Sequence, residues 1–162
     1  MKILLKSAII VVALLIQLTL INSITILGLK PDLLMIVVVV FSLMKGEKEG
    51  TISGFASGLL QDIFSIGLLG INALVKTVIG FTCGLLKEKI FHEHILFLIP
   101  VITFIASLIQ SILIFLLLRA FGIEYSLAWS LKQVALPEAL YSSLLSPFVF
   151  LAINKLLQLI KE

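Results

Sequence analysis

Residues 46–80 read GEKEGTISGFASGLLQDIFSIGLLGINALVKTVIG. Gly46, Gly50, Gly54 and Gly58 recur at four-residue intervals, followed by Gln61 and Asp62, a glycine-rich turn around Gly67 and Gly70, and then Asn72 and Lys76. In a helix of 3.6 residues per turn each four-residue step drifts by about 40°. Adjacent glycines therefore share a face while Gly46 and Asp62 do not, and the curling stripe suits contact with more than one neighbour. Without a hydrophobic drive between helices in lipid, association depends on close packing, which small residues permit. The stretch predicts a short glycine-rich helical hairpin with one deeply placed carboxylate, and apolar sequence lies on both sides of it.

That surrounding sequence is membrane sequence. The chain has 162 residues, 60% hydrophobic and 13% charged, against about 45–50% apolar and about 25% charged for a soluble domain. Its mean hydropathy is +1.25. A span needs about 20 residues to cross a hydrocarbon core of about 30 Å, so the length accommodates about six spans with short loops in a single transmembrane domain, residues 1–162. The fold class is all-α. The single Cys83 excludes an internal disulfide, and no face concentrates Lys or Arg as a nucleic-acid-binding surface would.

From the N-terminus, Lys2 and Lys6 precede an apolar run from Ser7 to Leu29. It is longer than the h-region of a signal peptide and lacks an A-x-A-like site, so it reads as an uncleaved first span. Lys30-Pro31-Asp32 breaks the pattern: proline suits a first helical turn, and Asp32 then meets the positive end of the helix dipole. A short, valine-rich second segment follows, Leu33 to Met44. Lys45 to Gly50 is a charged turn and Thr51 to Ile66 the third segment. Asn72 is an N-cap candidate for the fourth, Ala73 to Leu86. Ile95 to Leu118 is the clearest span, with Thr103, Ser107, Gln110 and Ser111 marking the face turned to protein. Tyr125 and Trp129 suggest an interfacial helix. Pro137 and Glu138 then open the last span, which runs to about Ile153 with Pro147 as a kink. Six crossings place Lys2, Lys6, Lys45, Lys48, Lys87, Lys89, Lys155 and Lys161 on one side, and only Lys30, Arg119 and Lys132 on the other. This positive-inside bias predicts both termini in the cytoplasm.

Asp62 is the sharpest candidate for function, because ionisable residues in membrane segments are costly and usually face the protein interior. Near a helix end it would equally serve as a hydrated structural residue. Asp62 and Lys76 flank the turn and are placed to pair across it; the simpler reading of Lys76 is snorkelling to the interface. His92 and His94 flank Glu93, but two His at i and i+2 with one carboxylate lack the ligand count and spacing of a zinc site. Cys83 reads as packing. No G-x-S-x-G, H-E-x-x-H or P-loop occurs, so no enzyme and no cofactor are expected. A transporter would need polar groups converging near the midplane; Gln61, Ser107 and Gln110 are few.

Three stretches carry a family resemblance. Lys30-Pro31-Asp32-Leu33 leads into the valine-rich segment. Gly50-x3-Gly54-Phe55-x2-Gly58-Leu59-x2-Asp62-x-Phe64 is followed by Leu69-Gly70-x-Asn72-Ala73-Leu74-x-Lys76-Thr77-x2-Gly80. Leu136-Pro137-x3-Tyr141 comes later, with Pro147 beyond it. In order and combined spacing these resemble MreD, the rod shape-determining proteins of the bacterial inner membrane. Family members often carry Asn after the tyrosine, where this chain has Ser142.

The resemblance implies a non-enzymatic scaffold of the cell-elongation machinery, needed for rod shape and lateral peptidoglycan synthesis. Its implied partners are MreC, the actin-like MreB, the glycosyltransferase RodA and a class B transpeptidase, alongside the lipid bilayer. Gly50, Gly54, Gly58, Asp62, Asn72 and Lys76 are then expected to pack helices or bind a partner helix. Pro31 and Asp32 would start the second span, and Pro137, Glu138 and Tyr141 the last. The family also resembles the substrate-binding subunits of energy-coupling-factor transporters, which leaves a small-solute-binding subunit as the alternative. A holin-like pore former is a third reading, disfavoured by the lysine bias and the ordered glycines.

Overall fold

A computed structural model describes residues 2–23, 31–65, 68–89, 95–123, 126 and 131–159, and all regular structure among them is helical. Six α-helices follow in order: α1 (Lys2–Ser23), α2 (Leu33–Lys45), α3 (Glu47–Phe64), α4 (Ile71–Leu85), α5 (Ile95–Ala120) and α6 (Leu136–Leu159). A 3-10 turn at Lys87–Lys89 follows α4, and a π-helical turn at Leu131–Ala135 leads directly into α6.

The fold is organised around α2. Every residue from Leu33 to Leu43 is buried, so this helix, apolar on all sides, sits inside a ring made by the others. At 13 residues it covers about 20 Å, short of the hydrocarbon thickness. Its valines, poor helix formers in isolation, are tolerated because packing supplies the stability. One residue reverses the chain after it: Gly46 adopts φ +97°, a conformation that side chains with a Cβ resist. The charged turn expected over Lys45 to Gly50 therefore shrinks to Gly46. Glu47, Lys48 and Glu49 belong to the first turn of α3, where acidic groups are favoured by the helix dipole.

Helices α3 and α4 form the predicted hairpin, with their backbones in direct contact. A Cβ placed on Gly50 would lie 2.2 Å from the Gly80 carbonyl oxygen, one on Gly54 2.2 Å from that of Lys76, and one on Gly58 2.4 Å from that of Asn72. Gly80 and Gly84 make the reciprocal approaches to Gly50 and Glu47. The stripe thus serves essentially one neighbour, with Ser42 of α2 also against Gly50. The groove expected to admit a partner helix along these glycines is filled by α4.

Among the described residues, the outer helices α5 and α6 are long and apolar enough to cross a membrane, over Ile95–Ala120 and Leu131–Gln158. Much of their surface faces outward, including Phe97, Leu144 and Phe148. The inner face of α5 carries Thr103, Ser107 and Gln110, all buried, as their spacing predicts. Helix α6 runs through Pro147 to Leu159, beyond the expected end near Ile153. Pro147 cannot donate to the Ser143 carbonyl, and the Ser146 hydroxyl donates to it instead at 2.7 Å. A side chain thus restores a backbone bond that proline removes. Ser143 in turn donates to the Pro100 carbonyl at 2.8 Å, tying α6 to α5. The middle of the interfacial helix expected between Ala120 and Leu136, with Tyr125 and Trp129, lies outside the described residues, as do His92, Glu93 and His94.

Candidate functional site

The N-terminal end of α2 lies inside the bundle, where its free backbone N–H groups have no water to meet. Side chains from three helices supply the acceptors. The Asp32 N–H donates to Ser142 Oγ of α6 at 3.0 Å, the Leu34 N–H to Gln17 Oε1 of α1 at 3.2 Å, and the Met35 N–H to the Asp32 carboxylate at 2.9 Å. Asp32 is therefore the N-cap of α2, as its place after Pro31 suggests, and Pro31 is buried beside it.

The cap is also half of an ion pair. Lys76, on α4 and 0% exposed, donates from Nζ to Asp32 Oδ2, itself 2% exposed. Gln110 of α5 bridges the two: its Nε2 donates to Asp32 Oδ2 at 2.8 Å, and its Oε1 accepts from Lys76 Nζ at 2.9 Å. Two opposite charges so deep in an apolar bundle persist only if each is paired and hydrogen-bonded. Gln110 is 15 residues into the 26-residue α5, so the cluster sits at a depth of about 15 Å from the Ala120 end of that helix. Glu138, partly buried in the first turn of α6, lies within electrostatic range of both Asp32 and Lys76 and makes no hydrogen bond among the described residues.

Asp62 belongs to a second, separate cluster. Its carboxylate accepts from the backbone N–H groups of Gly70 (2.9 Å), Asn72 (3.2 Å) and Ala73 (3.0 Å), and from Asn72 Nδ2 (2.8 Å). It caps α4 from the last turn of α3, and the positive end of the α4 dipole favours its charge. Two expectations are corrected here. Asp62 does not pair with Lys76, because its acceptor sites are taken by the N-terminus of α4 and the lysine points to Asp32. Asn72 is not the N-cap: Gly70, at φ +98°, holds that position without a side-chain bond, and Asn72 lies within the first turn and donates to the true capping group.

The remaining candidates separate by role. Gly50, Gly54 and Gly58 are spent on the α3–α4 contact. Pro137 and Tyr141 are partly buried on α6, and no polar contact ties them to the ion pair. Ser142 is fully buried and receives the Asp32 N–H, a role the sequence did not assign. Gln17 was likewise unassigned; the only hint was a polar residue in an apolar span. For Gln110 the signal was the polar stripe Thr103–Ser107–Gln110–Ser111, which gave its direction but not its partner. Cys83 is buried among apolar residues of the core, as expected for packing. No group of three or more metal-ligating side chains occurs among the described residues.

This arrangement holds five helices together through mutually satisfied groups, and it presents no nucleophile with an adjacent base. No curated protein and no solved structure matches the chain. The family model for rod shape-determining protein MreD matches residues 1–160 of the 162. This all-helical chain therefore belongs to the MreD family of membrane proteins, whose role is in rod shape determination.

Proposed function

We propose that this protein is a non-enzymatic inner-membrane scaffold of the bacterial elongation machinery, acting by binding MreC and, directly or through it, MreB, RodA and a class B transpeptidase. The family match over residues 1–160 carries this reading. The polar clusters support it physically. Asp32, Lys76, Gln110, Ser142, Gln17, Asp62 and Asn72 engage one another or helix ends, which suits a rigid platform for other membrane helices. The outward apolar faces of α5 and α6 offer contact area for such helices.

In the same reading the chain crosses the membrane six times, with both termini in the cytoplasm. The lysine bias supports this, and so does the proximity of two lysine-bearing turns: Lys87 Nζ donates to the Lys45 carbonyl at 3.4 Å. Helices α2 and α4, 13 and 15 residues long, then cross a locally thin or protein-covered region. Depletion of the protein in its rod-shaped native host tests the function. Swelling into spheres with loss of lateral wall synthesis is expected; unchanged rods with a new nutritional requirement would move the solute-binding subunit to first place.

A further inference from the structure

An apolar groove of about 330 Å³ runs between α1 and α6 with α2 as its floor. Its walls include the small residues Ala8 and Ala13 of α1 and Ala152 of α6, and Leu33 and Val37 form the floor. Small residues on both walls let a further backbone approach closely. The groove does not end in apolar sequence. Glu138 precedes the groove-lining Val149 by eleven residues, which is three helical turns and so the same side of α6. At that end lie Leu33, the neighbour of Asp32, and Ile16, the neighbour of Gln17.

Glu138 is a carboxylate in search of a partner. Of the charged groups facing it, Asp32 repels it. Lys76 is already engaged by Asp32 and Gln110. A carboxylate held at such a site marks a specific interaction, and the group that complements it is a cation or an N–H donor.

Resting on the scaffold reading above, we infer that the α1–α6 groove seats a single transmembrane helix of another chain, and that a Lys, Arg, His or amide side chain of that helix pairs with Glu138. A hydrocarbon chain would fill the groove but leave the carboxylate unmet. A helix carrying one donor near its end satisfies both the shape and the charge.

Photo-crosslinking of the full-length protein in its native membrane tests this, with p-benzoylphenylalanine placed at Val12 or Ile16, exposed residues of the groove wall, and, as a lipid-facing control, at Phe97. The expected product at the groove positions is a single adduct whose crosslinked peptide is a transmembrane segment bearing a basic or amide residue, absent from the control. Glu138→Ala should lower its yield about tenfold or more, as truncating one partner of a desolvated charge pair does, and Glu138→Gln should retain part of it. Ala152→Phe, read with the crosslinker at Val12, fills the groove from an exposed position and should abolish the adduct even if the Glu138 variants fail to fold. Adducts to lipid only, to a second copy of this chain, or to a helix without a donor would overturn the inference. So would a yield indifferent to Ala152→Phe. Because depletion reads cell shape and crosslinking reads the groove, loss of one result leaves the other standing.

Discussion

Asp62 and Asp32 are both buried carboxylates at the N-terminus of a helix, yet they are satisfied in different ways. Asp62 lies on the helix just before the one it caps and is met almost entirely by backbone N–H groups 8 to 11 residues downstream. Asp32 caps its own helix, is neutralised by Lys76 and accepts a hydrogen bond from Gln110, 44 and 78 residues away. The first is a local device that closes a hairpin. The second is a long-range device that holds a short helix inside a bundle formed by its neighbours. Losing a partner should therefore cost more at Asp32, where it strands a charge, than at Asp62, where the helix end still presents its dipole.

The hairpin contact itself sets the upper limit. Gly54→Leu drives a side chain into the Lys76 backbone, so the cost should exceed the 1–3 kcal/mol of ordinary overpacking. The protein should fail to accumulate in membranes, measured by quantitative immunoblot. Accumulation at wild-type level would mean that α3 and α4 do not touch through their backbones.

Next comes the ion pair. Lys76→Met leaves Asp32 uncompensated and should cost roughly 3–5 kcal/mol, read as a lower thermal midpoint in detergent. The double variant Asp32→Asn/Lys76→Met should recover much of that loss, because no charge is then left buried. Strict additivity of the two single effects would reject the pairing.

Asp62→Asn sharpens the contrast. One amide oxygen still accepts from the N-terminus of α4, but the second carboxylate oxygen is replaced by an NH2 that cannot accept, so the loss should be about 2–3 kcal/mol, that of leaving buried N–H groups unmet. Combined with Lys76→Met it should be additive, since the clusters share no partner. A coupling energy as large as that between Asp32 and Lys76 would mean that the clusters act as one.

The smallest effect is expected at Ser142. Ser142→Ala removes the acceptor for the Asp32 N–H and should cost about 1–2 kcal/mol as an unsatisfied buried donor. Ser142→Asn, which keeps a side-chain oxygen that can accept, should be tolerated better than Ala.

Much of this was legible from the chain because it depends on short-range pattern. Glycines four apart announce a helix face that another helix can approach closely. Gly70 near Asn72 announces a turn and a helix start. Pro31-Asp32 announces the entry to α2. The polar stripe on α5 announces an inward face. What local pattern could not give was the identity of partners. Asp62, close to Lys76 along the chain, is the partner that short-range pattern offers, but the α4 N–H groups occupy it. Ser142 carried no local signal and Gln17 only its polarity in an apolar span, because each acts on the end of a helix other than its own.

By itself, then, the sequence determined an all-helical membrane protein, a glycine-packed hairpin, the Pro31-Asp32 entry to α2 and membership of a rod-shape family. Periodicity, composition and turn chemistry act over a few residues. Only the tertiary structure decided that α2 is the buried centre, that Lys76 belongs to Asp32 and Gln110, and that the glycine stripe is filled from within the chain. Those outcomes follow from which helices meet, and a buried charge takes the partner that the packing brings to it.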